Sequence, residues 1–240
     1  DTSLEECLAR NAERTDYKRV PEQVIHRMHK VIKTTPLPKF CKKINSIDEI
    51  NNYFTVDLTN QYERVRIIGD IHGCYTALQQ AISPWDEKTL YIFCGDYLER
   101  GIENKEMMYE MMRLSTLPNT IMLEGNHERH IANFAFNTNL DRSKRFMKEV
   151  VAPIIKDMTK KEVESLQREL RLFYKSLRQC YPFSFHGKKY LVSHGGLSYV
   201  PNMTFIATST FINGFGAYET DIAKIYDANY EKGMCQNFIQ

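Results

Sequence analysis

No run of about eighteen apolar residues occurs in this 240-residue chain, so no segment has the make-up of a membrane-spanning helix. The first twenty residues are charged throughout and lack the basic, apolar and small-residue order of a secretion signal. CxxC spacing is absent as well. The six cysteines (Cys7, Cys41, Cys74, Cys94, Cys180, Cys235) are scattered, several of them inside apolar runs, which argues against a disulfide framework. Buried thiols in a reducing, cytoplasmic compartment are the expectation. Charge of one sign is lacking too. The 32 basic and 30 acidic side chains leave +2, and a local basic face is compatible with that neutrality. No Gly-x-x-x-x-Gly-Lys-Ser/Thr occurs, which excludes ATP binding through a phosphate loop. Internal repeats and low-complexity tracts are missing. What is present is an apolar fraction of 42%, enough for a real core.

Residues 4–16 and 21–34 carry helical spacing, with Val24, Ile25, Met28 and Ile32 near one face and Pro21 suited to a first turn. Pro36 and Pro38 end that helix. A weakly periodic stretch follows, read as a linker over 39–62 between a helical segment at 1–38 and a larger domain at 63–240. From Arg64 the pattern changes. Val65–Ile68, Leu90–Cys94, Ile121–Leu123 and Tyr190–Val192 are short apolar strands, each closing on a polar residue. Helical segments near 75–83 and 103–114 separate the first three, the βαβ rhythm of a parallel sheet in an α/β fold. Residues 141–178 are charged, helical in pattern and free of glycine, and read as an insertion before the fourth strand. The chain opens on Asp1 and closes on the apolar, strand-like Asn237–Gln240, the pattern of a fragment cut inside a domain.

Asp70, His72, Asp96, Asn126 and His194 all stand at or just beyond a strand end. Crossover connections gather such positions on one sheet edge. Carboxylate, imidazole and amide donors suit manganese, iron, zinc or nickel, with manganese the first expectation. A carboxylate such as Asp96 has two oxygens and can bridge two ions. Two cations about 3.5–4 Å apart clamp a phosphate and make bound water acidic near neutral pH. Each ligand alone reads more simply as a loop or cap residue. Their order in GDIHG (69–73), GDYLERG (95–101), GNHE (125–128) and HGG (194–196) is what reverses that reading.

At these motifs, from about Arg64 to Gly196, the sequence resembles the calcineurin-like metallophosphoesterases, in their phosphoprotein-phosphatase branch. The resemblance implies two packed sheets flanked by helices. It implies two divalent ions, the first on Asp70, His72 and Asp96, the second on Asp96, Asn126 and His194. Arg100 matches the phosphate-binding arginine, with Asn126 beside it, and His127 the general acid for the leaving alkoxide. Two positions depart from the pattern. Glu99 stands where an aspartate is usual, one methylene longer, and is expected to orient His127 with altered geometry. A further metal-binding histidine belongs after HGG, and no histidine follows His194 in this chain. His26, His29, His130 and His186 read as structural or solvated, and Met107, Met108, Met111 and Met112 as helix core.

Cys7–Arg14 followed by Arg19–Ile25, with its Val-Pro-x-x-Val-Ile order, resembles the end of a P-loop polynucleotide kinase domain. That resemblance points to the phosphatase module of a bacterial or phage polynucleotide kinase–phosphatase, with RNA 3′-phosphate or 2′,3′-cyclic phosphate ends as substrate and kinase or ligase modules as companions. The rival readings are a serine/threonine protein phosphatase, a dinucleoside polyphosphate hydrolase, and a non-catalytic module with an incomplete metal site.

Overall fold

The computed structural model describes residues 2–36, 38, 46–197, 206–214 and 237–239. The chain divides into two compact units, Asp1–Ile50 and Asn51–Gln240. In the first, α1 (Leu4–Ala12) starts where the Ser3 hydroxyl accepts the Glu6 amide at 3.1 Å, and α2 (Glu22–Thr34) starts after Pro21. Buried Asn11 ties the pair together, donating to the Val20 carbonyl at 2.7 Å and accepting from its amide at 2.9 Å. A 3-10 turn, Asp16–Lys18, lies between them. Met28, Val31 and Ile32 of α2 are 56, 54 and 69% exposed, so its apolar face is open within this unit.

The stretch read as a linker carries structure at 47–57: α3 (Ile47–Phe54) and β1 (Val56–Asp57). β1 is invisible to local patterning because it is two residues long. It exists by pairing with Phe183 and Ser184, far along the chain.

Three strands form a parallel sheet in the order β2 (Arg64–Ile68), β3 (Thr89–Phe93), β4 (Thr120–Met122). α4 (Tyr75–Ile82) and α5 (Asn104–Leu114) make the crossovers. β3 is buried along its whole length, and its alternation serves two cores. Leu90, Ile92 and Cys94 pack with Tyr181, Phe183 and Val192 of the second sheet. Tyr91 and Phe93 face the other way, into Met107, Met108 and Met111 of α5. Each such large side chain, fully buried, contributes about 1.5–3 kcal/mol.

α6 (Glu128–Phe136) leads into the helical insertion, as its glycine-free pattern predicts. The insertion runs through a 3-10 turn (Leu140–Ser143), α7 (Lys144–Phe146), a π-helical turn (Met147–Val151), α8 (Ala152–Ile155) and α9 (Lys160–Ser176). A capping box, Thr159 with Glu162, starts α9. Tyr174 of α9 donates to Glu124 at 2.6 Å, anchoring the insertion to the end of β4.

The second sheet takes up the fourth predicted strand, as two packed sheets require. The fourth predicted strand, β6 (Lys188–Ser193), does not join the parallel sheet. It pairs antiparallel with β5 (Cys180–Phe185), in the order β1, β5, β6, β7 (Asn237–Ile239). Pro182 hides β5 from a propensity reading, and β1 reaches only its last half, where no proline stands. His186 and Gly187, at φ 48° and 74°, form the two-residue turn that twists correctly for a hairpin. α10 (Thr208–Asn213) brings Phe211 against Leu191 and Leu197 on the outer face.

Cys7, Cys74, Cys94 and Cys180 are free thiols; Cys41 and Cys235 lie outside the described residues. Cys94 is buried as expected, while Cys74 is exposed at the start of α4. Among the described residues no helix is long and apolar enough to cross a membrane.

Candidate metal centre

Asp70 and His72 follow β2, Asp96 follows β3, Asn126 follows β4 and His194 follows β6, so four strand ends converge. The first two loops are laced by backbone. The amides of Ile71 and His72 donate to the Asp96 carbonyl at 3.2 and 2.8 Å, and Gly101 donates to the His72 carbonyl at 2.7 Å. The second and third loops touch without side chains between them. A Cβ on Gly95, whose φ is 105°, would strike the Gly125 amide nitrogen, and one on Gly125 would strike Asp96 Oδ1. Gly69 differs, since an added Cβ there meets nothing within 4 Å.

The imidazoles are set for metal by their outer nitrogens. His72 Nδ1 donates to the Leu98 carbonyl at 3.1 Å, which leaves a lone pair on Nε2. That Nε2 is buried with no hydrogen-bond partner, and it stands 3.6 Å from Asp70 Oδ2 and 3.6 Å from Asp96 Oδ2. A lone pair facing two carboxylates is repulsive unless a cation shares the space. The three donors lie within 4.8 Å of one another. His194 repeats the device: Nδ1 donates to the Cys94 carbonyl at 3.0 Å, and Nε2 faces Asn126 Oδ1 at 3.0 Å and Asp96 Oδ1 at 3.7 Å. A ring nitrogen and an amide oxygen 3.0 Å apart need a proton or a cation between them. The residues present therefore fit two cations, with Asp96, 2% exposed, offering one oxygen to each donor group. Asp70 is half exposed and closes the open side.

Glu99 and His127 form the next layer. His127 Nδ1 donates to Glu99 Oε2, so the longer carboxylate does reach the ring. The Glu99 and Arg100 backbones take φ 74° and 60°, and His72 and Asp96 take 48° and 52°. Four non-glycine residues in the left-handed region at one site is strain held by its surroundings. Asn104 is part of that hold, accepting the Glu99 amide at 2.8 Å and donating to the Gly101 carbonyl at 2.7 Å. Arg100 is exposed, its Nη2 3.4 Å from His127 Nε2. The His127 amide donates to Asp96 Oδ1 at 2.9 Å. His130 stands close to Glu99 and His127, but Ser143 and Arg129 engage its two nitrogens, and it meets His127 only through ring contact.

Glu128 had no assigned role in the sequence, although GNHE contains it. It is fully buried and accepts three amides: Asp96 at 2.8 Å, Tyr97 at 3.1 Å and Gly125 at 2.6 Å. Burial pushes its carboxyl up to about 8, the Asp96 charge adds to the rise, and the three donors oppose it. One side chain thus fixes the two loops that carry Asp96 and Asn126. Its sequence signal is a charged residue inside an otherwise explained four-letter motif, at the first position of a helix.

Over an 82-residue stretch the chain is 40% identical to serine/threonine-protein phosphatase 2 of Salmonella typhimurium, a match covering 32% of this chain and 34% of that one. The chain thus spans about a third of the length of the curated relative it matches. Among solved structures, a protein serine/threonine phosphatase from Saccharomyces cerevisiae is similar at 18% identity and TM-score 0.40, covering 86% of this chain and 64% of its own. A candidate diadenosine tetraphosphatase is similar at 22% identity and TM-score 0.37, covering 60% and 55%. The calcineurin-like phosphoesterase family model matches residues 63–227, which takes in both sheets' site loops, and the chain belongs to that family.

Proposed function

We propose that this chain is a metal-dependent phosphatase that cleaves phosphate esters at a dinuclear centre held by Asp70, His72, Asp96, Asn126 and His194, with RNA 3′-phosphate or 2′,3′-cyclic phosphate ends as substrate. The observation that carries the chemistry is the convergence of imidazole lone pairs on Asp96, with His72 Nε2 buried and unpartnered. Two divalent cations, manganese first, would supply charge neutralisation, Lewis acidity and an activated water there.

The chain's own groups supply the rest. Arg100 presents a planar fork to the phosphate oxygens, a geometry suited to two parallel hydrogen bonds. Glu99 holds the His127 ring by Nδ1, so the proton delivered to the leaving alkoxide sits on Nε2. Glu128 keeps the Asp96 and Gly125 backbones in place while charge moves. RNA ends as the substrate rest on the N-terminal likeness to a polynucleotide kinase tail, ahead of the family match. A serine/threonine protein phosphatase is the second reading, favoured by the identity with the Salmonella relative.

The test loads the purified chain with manganese, counts bound metal by plasma mass spectrometry, and compares four substrates. These are a 3′-phosphorylated oligoribonucleotide, a phosphopeptide, a dinucleoside tetraphosphate and p-nitrophenyl phosphate. Near two ions per chain and the highest kcat/KM on the oligonucleotide are expected. Preference for the phosphopeptide would transfer the function to the second reading, and an absence of bound metal would make the chain a non-catalytic module.

A further inference from the structure

The near-neutral chain is not neutral everywhere. Residues 129–149 hold five basic side chains, Arg129, Arg142, Lys144, Arg145 and Lys148, against the acidic pair Asp141 and Glu149. All five basic residues are exposed. Lys144 and Arg145 meet Asp141 and Glu149 at 3.4 and 2.8 Å, in exposed pairs of the kind that exchange readily for another anion. No carboxylate among the described residues pairs with Arg129, Arg142 or Lys148.

This ridge is not on a remote surface. Buried Ser143, between Arg142 and Lys144, accepts Asn133 Nδ2 at 2.9 Å, and its Oγ is 2.9 Å from His130 Nδ1. Buried Phe146, next to Arg145, stacks on the His130 ring with centroids 5.9 Å apart. The His130 ring in turn meets the His127 ring edge-on at 6.1 Å. One imidazole therefore separates the ridge from the proton donor. Glu149 chiefly, and Glu99 of the catalytic loop more weakly, stabilise the Arg145 charge, so the two regions share an electrostatic field.

A general acid protonates the leaving oxygen, so the body of the substrate departs on the His127 side, where the ridge lies. We propose that Arg142, Lys144, Arg145 and Lys148 form a leaving-group subsite that binds backbone phosphates of a single-stranded polynucleotide whose phosphorylated end reaches the metal centre. The proposal rests on the phosphatase reading for the direction of the leaving group. Its substrate class follows from repeated, exposed cations beside a site that already takes one phosphate, since each phosphate neutralised releases condensed counterions.

The test uses the full chain and a quadruple variant, Arg142→Ser, Lys144→Ser, Arg145→Ser and Lys148→Ser, with Lys160→Ser and Lys161→Ser on exposed α9 as a control of the same sign. Fluorescence anisotropy with a labelled, 3′-phosphorylated oligoribonucleotide is read across salt concentrations, alongside hydrolysis of that oligonucleotide and of p-nitrophenyl phosphate. In the ridge variant, binding is expected to weaken at least about tenfold, and the slope of log K against log salt to flatten by about two, near 0.7 for each single-strand phosphate lost. The preference for oligonucleotide over aryl phosphate falls about tenfold, through KM. The α9 control keeps the parent's slope. An unchanged slope and affinity in the ridge variant would overturn the subsite. An acidic peptide that binds as tightly and is lost to the same substitutions would overturn its assignment to polynucleotide. RNA binding that depends on the ridge in a chain unable to cleave aryl phosphate would support the ridge and overturn the hydrolase reading.

Discussion

The two sheets serve the metal centre unequally. The parallel sheet ends three successive strands at Asp70, Asp96 and Asn126, and its loops are interlocked by backbone hydrogen bonds and by Glu128. The mixed sheet delivers His194 alone among the described ligands, on a turn steadied from outside: the Gly195 amide donates to the Phe211 carbonyl at 2.7 Å. In the first, the ligands are the structure of the sheet edge. In the second, a single ligand is borne by an edge whose order comes from packing elsewhere. Removal of a ligand should therefore cost far more on one side than on the other.

The largest difference is expected between Asp96→Asn and His194→Ala. Asp96 faces both donor groups and also accepts the His127 amide. Its loss should lower kcat/KM on the order of 10³-fold, about 4 kcal/mol of transition-state stabilisation, and reduce bound manganese below one ion. His194→Ala should retain one ion on Asp70, His72 and Asp96. Equal metal loss in the two variants, read by plasma mass spectrometry, would break the contrast between the sheets.

A smaller effect separates the parallel sheet's ligands from its proton donor. Glu99→Gln keeps the size of the side chain but removes the charge that stabilises protonated His127. A drop in kcat of about 10²-fold is expected on an alkyl phosphate, whose leaving oxygen needs the proton. With p-nitrophenyl phosphate the drop should be slight, because that leaving group departs unprotonated, and metal content should stay at the parent level. Comparable losses on both substrates would instead place Glu99 in the support of the centre.

The ligands were legible because each stands within a few residues of the end of an apolar run, with a glycine close by, so strand, glycine and donor are near neighbours in sequence. His127 and Glu99 were legible as motif letters, and even the extra methylene of Glu99 was visible; that its carboxylate still reaches the ring depends on a backbone at φ 74° that no propensity announces. Glu128 was present in GNHE, yet two of its three amide partners, Asp96 and Tyr97, stand beyond β3, a tertiary fact. The mixed sheet was the least legible part. β1 and β5 pair across more than a hundred residues, and Pro182 disguises β5.

The smallest expected effect lies in that mixed sheet. Gly187→Ala places a side chain at φ 74° in the β5–β6 hairpin, where nothing lies within 4 Å of the added Cβ. The cost is purely conformational, about 1 kcal/mol in chemical denaturation. Metal binding should not change. If it weakened, the hairpin would be coupled to His194 more tightly than the packing of α10 implies.

Glu128 also bears on how the centre fills. Its side chain accepts three amides of the chain itself and is not among the metal ligands, so the join between the Asp96 and Gly125 loops does not run through an ion. Loading would then be capture by a cage whose parallel-sheet side is joined independently of the ion, governed by diffusion and shedding of water from the ion. A chelator would empty such a cage without unravelling the protein around it, and one cation could be exchanged for another within the lifetime of a single folded molecule.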